Sequence, residues 1–349
     1  MCQLNESYSR LNGSFRRRLV YHVGVDAGFF AEYTHMLHGM LYCLQHGLRF
    51  ELYSDDANFG FSRGWQDYFK PFCTEVHEPF HHKYNVYALP SWPEIARRAW
   101  SAKSLRLPEW KLKASWLHAM GRALSRMAYG ERVLLSHDVR LDLDSRFHIP
   151  ALGVDGGYLE AFRAVSAVAW RLNGEVEAKC RSLAASLHLP ERYVGCQVRG
   201  GDKVTETSLL PPAHYVRMIR RCGGQDVFVL TDDYRLFEQL EQEAPDIRWH
   251  TLCSPQEQGY VNSSFSRSGA LHKRERMIRF LASMEILMRS SLFIGSVTTG
   301  PSLFLLKLGY PSVLPADCRP EDFPAICRMP VGGRSRAAAE YLASEAGKP

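Results

Sequence analysis

The chain of 349 residues contains no apolar run long enough to cross a bilayer as a helix, which takes roughly 20 consecutive apolar residues. Its first ten residues, M-C-Q-L-N-E-S-Y-S-R, hold no apolar core of signal-peptide length. The expectation is a cytoplasmic protein with no integral membrane segment. No CxxC pair occurs, and the nine cysteines, Cys2, Cys43, Cys73, Cys180, Cys196, Cys222, Cys253, Cys318 and Cys327, are odd in number and widely scattered. That pattern argues against a disulfide framework and a structural zinc, and favours a reducing compartment. No basic stretch is interleaved with aromatics, and a net charge of +6 is too mild to imply a nucleic-acid partner. Neither GxGxxG nor GxxxxGK[ST] is present, so the phosphate grips of dinucleotide dehydrogenases and P-loop hydrolases are missing.

What remains is an ordinary globular composition, 46% hydrophobic and 23% charged, in a chain longer than one core usually sustains. Two domains are the default. The positive balance suits a phosphate-bearing ligand or an acidic surface.

The chain is organised around residues 194 to 206, V-G-C-Q-V-R-G-G-D-K-V-T-E. Val194, Cys196 and Val198 alternate with Gly195 and Gln197, which predicts a short buried strand ending at Arg199. Gly200 and Gly201 permit a sharp turn, so Asp202, Lys203 and Glu206 are delivered at the strand's carboxyl end, where open α/β sheets bind ligands. Arg199 offers a planar fork of donors to a phosphate and Lys203 a point charge.

Before this stretch, Leu19 to Val25 reads as a strand. The loop Asp26-Ala27-Gly28 then leads to a helix over residues 31 to 46, and Phe50 to Tyr53 makes a second strand, completing a first βαβ unit. Residues 1 to 17 read as a polar, solvated arm. Asp55 to Cys73 reads as a long surface loop whose aromatic rings are either core filling or a platform for sugar rings. Trp92 to Met127 reads as helix broken at Pro108, and Val133 to Leu143 as strand and connection. Asp142-Leu143-Asp144 has the D-x-D form that holds a divalent cation in one class of sugar transferases, but a motif two residues deep arises often by chance. His77, His81 and His82 lack metal-ligand spacing, so no metal is expected. Gly153 to Gly157 is turn-rich, and two helical stretches over residues 158 to 187 lead to a domain boundary near Asn173. The division expected is 1–172, an acceptor-side α/β domain; 173–331, a nucleotide-sugar-binding α/β domain; and 332–349, a tail.

Beyond Tyr193 strands and helices alternate: strands at 194–198, 227–230, 248–252, 292–295 and 311–314, with helices at 211–222, 234–243, 273–289 and 301–308 between them. This is the pattern of a parallel sheet covered on both faces. Two more loops should join Arg199 to Glu206 at its carboxyl edge. Thr231-Asp232-Asp233 carries a carboxylate suited to a guanine edge, although one of the two aspartates is explained equally well as a helix cap. The stretch from Gly295 to Ser302 carries Ser296, Thr298, Thr299, Gly300 and Ser302 at a helix start, a natural seat for a diphosphate. Two α/β domains, with a nucleotide site on the second, point to an α/β fold of two Rossmann-like domains in the GT-B glycosyltransferase architecture.

At these residues the sequence resembles a known family. Val198-Arg199-Gly200-Gly201-Asp202-Lys203 is similar to the H-V-R-R-T-D-K motif of α1,6-fucosyltransferases, both the bacterial nodulation enzymes and the eukaryotic core N-glycan enzymes. Thr231-Asp232-Asp233 resembles their T-D-D segment, Ser268 to His272 their S-A-G-L-H segment, and Ser291 to Ser302 the strand and serine loop of their donor site. The Asp55 to Phe72 stretch is similar to an aspartate-rich loop of the nodulation enzymes. About half the chain is covered, chiefly residues 165 to 308.

The resemblance implies metal-independent, inverting transfer of L-fucose from GDP-fucose to a carbohydrate or other hydroxyl acceptor, with no cofactor. By position, Arg199 would hold the β-phosphate, Asp232 or Asp233 the guanine, and Thr298, Thr299 and Ser302 the diphosphate. Gln197, Lys203, Gly300 and His272 complete the donor-binding set. Glu206, after a one-residue gap, would be the catalytic base, with Asp202 as the second candidate. Gln197 replaces the motif's histidine and Gly200 its second arginine, which keeps another nucleotide sugar, or a silent sugar-nucleotide or glycan-binding protein, open as alternatives.

Overall fold

Leu19, Val20 and Tyr21 are buried in the middle of a strand, β1 (Arg17–His22), whose backbone pairs on both sides. The computed structural model describes residues 2–24, 27–78, 132–135, 141–200, 210–260, 265 and 268–345, divided into two compact units, Met1–Arg171 and Leu172–Pro349. Val25 and Asp26, the helical reading over residues 92 to 127 with its break at Pro108, and His81 and His82 lie outside the described residues.

The first unit opens with a helix, α1 (Cys2–Ser14), where the sequence reading has a solvated arm. The reason is local. Tyr8 and Asn12 are buried, and the Asn12 amide bonds both backbone groups of Phe50, donating to its carbonyl at 2.9 Å and accepting from its N–H at 2.7 Å. The helix is thereby fastened to β2 (Leu48–Tyr53). Between β1 and β2 runs α2 (Phe29–His46), closed by Gly47 in the left-handed region at φ 61°, a conformation glycine adopts without steric cost. Its inward face carries Met36, Leu37, Met40 and Leu41, all fully buried. At Gly39 an added Cβ would lie 2.7 Å from the Tyr21 ring, so glycine sets how closely α2 approaches β1. With β3 (Thr74–Glu75) and β4 (Arg132–Leu135) these strands form a parallel sheet in the order β3-β2-β1-β4.

The stretch from Asp55 to Cys73 is not a surface platform. Trp65, Tyr68, Phe69 and Phe72 are buried, and Trp65 stacks on Phe69 with centroids 4.2 Å apart. Asp67, itself buried, accepts the backbone N–H groups of Phe61, Ser62 and Arg63 at 2.6, 2.7 and 3.0 Å. One carboxylate thus replaces the hydrogen bonds that a buried loop would lack. A hairpin follows, β5 (Phe147–Ile149) and β6 (Val154–Gly156), its second strand within the Gly153 to Gly157 stretch that reads as turn-rich, and then α3 (Tyr158–Ala169).

The second unit begins with α4 (Gly174–Ser186), capped by Asn173, whose side chain accepts the Val176 N–H at 3.0 Å. Its sheet consists of β7 (Val194–Val198), β8 (Asp226–Thr231), β9 (Arg248–Thr251), β10 (Leu292–Gly295) and β11 (Val313–Pro315). All five strands are parallel, in the order β11-β10-β7-β8-β9. The crossovers are α5 (Pro212–Arg221), α6 (Tyr234–Glu243), α7 (Ala270–Arg289) and α8 (Gly300–Gly309). The tail expected at the C-terminus is a helix, α9 (Val331–Glu345).

The alternation within β7 sorts its two faces. Val194, Cys196 and Val198 join a core with Val216 and Ile219 of α5 and Phe237 and Leu240 of α6. Gly195 faces the other way, where a Cβ would meet Ser290 and Leu287 at 2.7 and 2.8 Å, so α7 packs directly on the strand. The chain runs outward from β7 through β8 to β9, then crosses back to β10 and β11. The order therefore reverses between β7 and β10, the place where a doubly wound sheet opens a crevice at its carboxyl edge.

Candidate functional site

Two polar clusters flank the carboxyl end of β7. The first lies on the β8 side. Arg199 donates from Nη1 to Asp232 Oδ2, and both side chains are largely buried, 16% and 14% exposed. Asp232 also accepts the Gly200 N–H at 2.8 Å and the Tyr260 N–H at 2.7 Å. Its own carbonyl takes the Gly259 N–H at 2.8 Å. The guanidinium of Arg199 sits 5.4 Å from the Tyr260 ring centroid, within cation–π range. One aspartate therefore joins the loops that follow β7, β8 and β9, and it aims the arginine.

Asp233 has a different task. It caps α6, accepting the Arg235 N–H at 3.1 Å, and takes Nε and Nη2 of the same arginine at 2.9 and 2.5 Å. The Arg235 guanidinium holds its carboxyl below the usual range. Of the two aspartates offered for a guanine edge, both are engaged by groups of the protein. At Gly200 an added Cβ would lie 3.0 Å from Asp233 Cβ and 3.1 Å from Leu236, so the second arginine of the resembled motif has no room without movement there.

The second cluster lies on the β10 side. Gln197 is buried, and its Oε1 accepts the Thr299 hydroxyl at 2.5 Å together with that of Ser302. Gly295 makes this possible, since a Cβ there would fall 2.5 Å from Ser302 Oγ. Thr299 is the N-cap residue of α8, yet no side chain caps that helix, because the Thr299 hydroxyl is spent on Gln197. Helix-start N–H groups and the positive end of the dipole are what an anion seeks. Behind them stands Asp317, 2% exposed, which accepts the Val297 N–H at 2.8 Å and the Ser296 hydroxyl. Ser296 Oγ in turn accepts the Thr298 N–H at 3.1 Å and lies 2.6 Å from Thr298 Oγ1. Burial pushes the Asp317 carboxyl up, against the opposing pull of these donors. Ser296, Thr299 and Ser302 are buried, whereas Thr298 is half-buried. The hydroxyls of this loop thus mostly pin it to the sheet, and Thr298 is the one placed to meet a ligand.

Gly201, Asp202, Lys203 and Glu206 lie outside the described residues. His272 is exposed on the first turn of α7. Asp142 is exposed, and its Oδ1 accepts the Asp144 N–H at 3.0 Å in a local turn. His77 bonds Asp55 at 2.8 Å. Among the described residues no group of three or more histidine, cysteine or acidic side chains is arranged to hold a metal, and no helix is long and apolar enough to cross a membrane. Two residues of the site were missed in sequence. Asp317 follows the last strand of the sheet and could have been found by the rule that located the other loops; Tyr260 carries no such signal.

Two compact units, each with its own parallel sheet and the second bearing these two polar clusters at a strand-order reversal, make this a two-unit α/β chain. Solved structures similar to it include fucosyltransferase NodZ from Bradyrhizobium, with a TM-score of 0.49 and 16% identity over 83% of this chain and 92% of that one. NodZ alpha-1,6-fucosyltransferase soaked with GDP-fucose is similar at a TM-score of 0.47 and 14% identity, over 84% and 93% of the two chains. POFUT1 in complex with GDP is similar at 0.45 and 12%, over 86% and 98%. No family model matches the sequence, and no curated protein matches it.

Proposed function

We propose that the chain is a cytoplasmic glycosyltransferase that moves L-fucose from GDP-fucose to a hydroxyl of a glycan or similar acceptor, without a metal ion and with inversion at the anomeric carbon. The observation that carries this reading is the pairing of Arg199 on one side of β7 with the uncapped start of α8 and Thr298 on the other, at the point where the strand order reverses. As the glycosidic bond stretches, negative charge builds on the departing diphosphate. Fixed cationic and N–H donors stabilise that charge without reorganising.

In this reading Arg199 and Lys203 hold the β-phosphate, and Thr298 and the backbone of Thr299, Gly300 and Ser302 hold the rest of the diphosphate. Gln197 keeps that loop in place, and Asp232 and Asp233 shape the wall beside the base. His272 completes the donor side. The acceptor hydroxyl, with its high pKa, requires a carboxylate to take its proton as it attacks from the opposite face. Glu206 takes this role, with Asp202 as the second candidate. The N-terminal unit holds the acceptor. A different nucleotide sugar is the second reading, favoured by the engagement of both Asp232 and Asp233 within the protein, which removes the expected free carboxylate for guanine.

Calorimetry with GDP and UDP, followed by nucleotide release assays with acceptor, tests this. The expected result is GDP-selective binding and acceptor-dependent GDP release that persists in EDTA. Arg199→Ala should lower transfer at least about 100-fold while the circular dichroism spectrum is retained. UDP preference supports the second reading, binding without turnover makes the protein a silent binder, and near-normal activity of the variant removes Arg199 from the mechanism.

A further inference from the structure

Asp317, Ser296 and Thr298 form a chain of hydrogen bonds that runs from a buried carboxylate to the hydroxyl of the half-buried Thr298. Its direction is decided by a single proton. With Asp317 ionised, Ser296 must donate to it. Ser296 Oγ then has only lone pairs to offer Thr298, so at 2.6 Å the Thr298 hydroxyl donates inward. Thr298 consequently shows lone pairs to the outside, and its N–H is also turned to Ser296. That face repels a phosphate oxygen, which is an acceptor too.

With Asp317 protonated, the chain reverses. The carboxyl O–H donates to Ser296, the Ser296 hydroxyl donates to Thr298, and the Thr298 proton is released to point outward. The second carboxyl oxygen still accepts the Val297 N–H at 2.8 Å, so the loop keeps its shape. We propose that Asp317 is a positioning residue of the donor site, which takes up a proton when a nucleoside diphosphate binds and, through Ser296, turns Thr298 into a phosphate donor.

Other features bear this out. The carboxylate is 2% exposed, burial raises its pKa, and a ligand's negative charge nearby favours the neutral form further. The groups around it do not supply a competing proton. Tyr215 of α5 faces it and is held neutral by burial, Cys318 follows it and is pushed up by burial, and His214 of α5 is turned to the Ala316 carbonyl at 2.7 Å. From the β10 side the facing groups are the Ser296 hydroxyl and the Val297 amide.

The inference rests on the nucleotide-sugar reading above, and the two can fail separately. The test is calorimetry of GDP binding to the full chain in buffers of different ionisation enthalpy, across pH, for the wild type, Asp317→Asn and Ser296→Ala. Asparagine mimics the protonated carboxyl, donating to Ser296 and accepting from Val297. The variant should bind GDP at least as tightly as the wild type, with a flatter pH dependence. The wild type should take up protons relative to this variant, up to about one per site, and lose up to about tenfold in affinity per pH unit above the Asp317 pKa. Taking the difference cancels the titration of GDP itself. Ser296→Ala keeps the carboxylate but cuts the relay, and should lose both this uptake and the sensitivity of binding to Thr298→Val. Equal proton uptake in the wild type and either variant overturns the proposal while GDP binding stands. Absence of GDP binding in the wild type overturns the donor reading and the proposal with it.

Discussion

Gln197 stands where the resembled motif has a histidine, and its surroundings give the amide a task of its own. The side chain is buried beneath α8, and a single carbonyl oxygen satisfies the Thr299 and Ser302 hydroxyls. A neutral amide offers that acceptor at any pH, whereas a protonated imidazole would offer none. Gln197→Leu should therefore strand two buried hydroxyls. Each loses an interaction typically worth about 1–3 kcal/mol when left unmade, so urea unfolding should show a loss of about 2–6 kcal/mol. A loss below about 0.5 kcal/mol would mean that both hydroxyls find other acceptors. Gly200 makes the complementary point. Its missing side chain is required by Asp233 and Leu236, so Gly200→Arg is not a simple return to the motif.

At the scale of elements, the second unit was legible because its strands and helices alternate with clear periods. The helix Tyr234–Glu243 and the strand Leu292–Gly295 fall where the apolar spacing places them, and other boundaries move by three residues or fewer. Failures fall where burial depends on a side chain that is not apolar. The α1 helix has its stripe in Leu4, Tyr8 and Leu11, but its anchor is Asn12, whose bonds to Phe50 have no signature in local pattern. The Asp55 to Cys73 stretch has no period because Asp67, rather than a ladder, satisfies its backbone. Of the candidate site, Arg199 and the residues from Ser296 to Ser302 were legible from their place after strands and Gln197 only through the family resemblance, but not the use of the loop's hydroxyls.

The β8–β9 pair allows a test of electrostatics at this scale. Asp226 and Arg248 are cross-strand partners in register, and the arginine donates through Nε at 2.7 Å. Arg248 holds the Asp226 carboxyl below its usual range. A depressed folded pKa contributes stability above the unfolded value and loses it as pH falls through the folded one. Asp226→Asn should cost about 1 kcal/mol or less at neutral pH, lowering Tm by about 2–4 °C. The deficit should shrink as the pH is lowered toward the folded pKa. A deficit that stays constant from neutral to acid pH would assign the effect to packing.

Across the whole molecule, each unit carries its own parallel sheet, and each sheet has a carboxyl edge that collects polar side chains. In the N-terminal unit this edge gathers His22 at the end of β1, bonded to Asp56 at 3.1 Å, and Asp55 just past β2, bonded to His77 at 2.8 Å. The C-terminal unit gathers Arg199, Asp232 and the loop braced by Asp317. If the donor is held by the second unit and the acceptor by the first, substitutions at the two edges should separate in their effects. Asp55→Asn, at a side chain 35% exposed, should leave the Kd for GDP within about twofold, because independent sites perturb each other little. The same variant should reduce acceptor-dependent GDP release. Arg199→Ala should do the reverse in binding, weakening GDP by about tenfold or more, as expected when a charged hydrogen bond is lost. A GDP affinity that falls as far in Asp55→Asn as in Arg199→Ala would defeat this division of labour, since a carboxylate in the acceptor unit would then be acting on the donor.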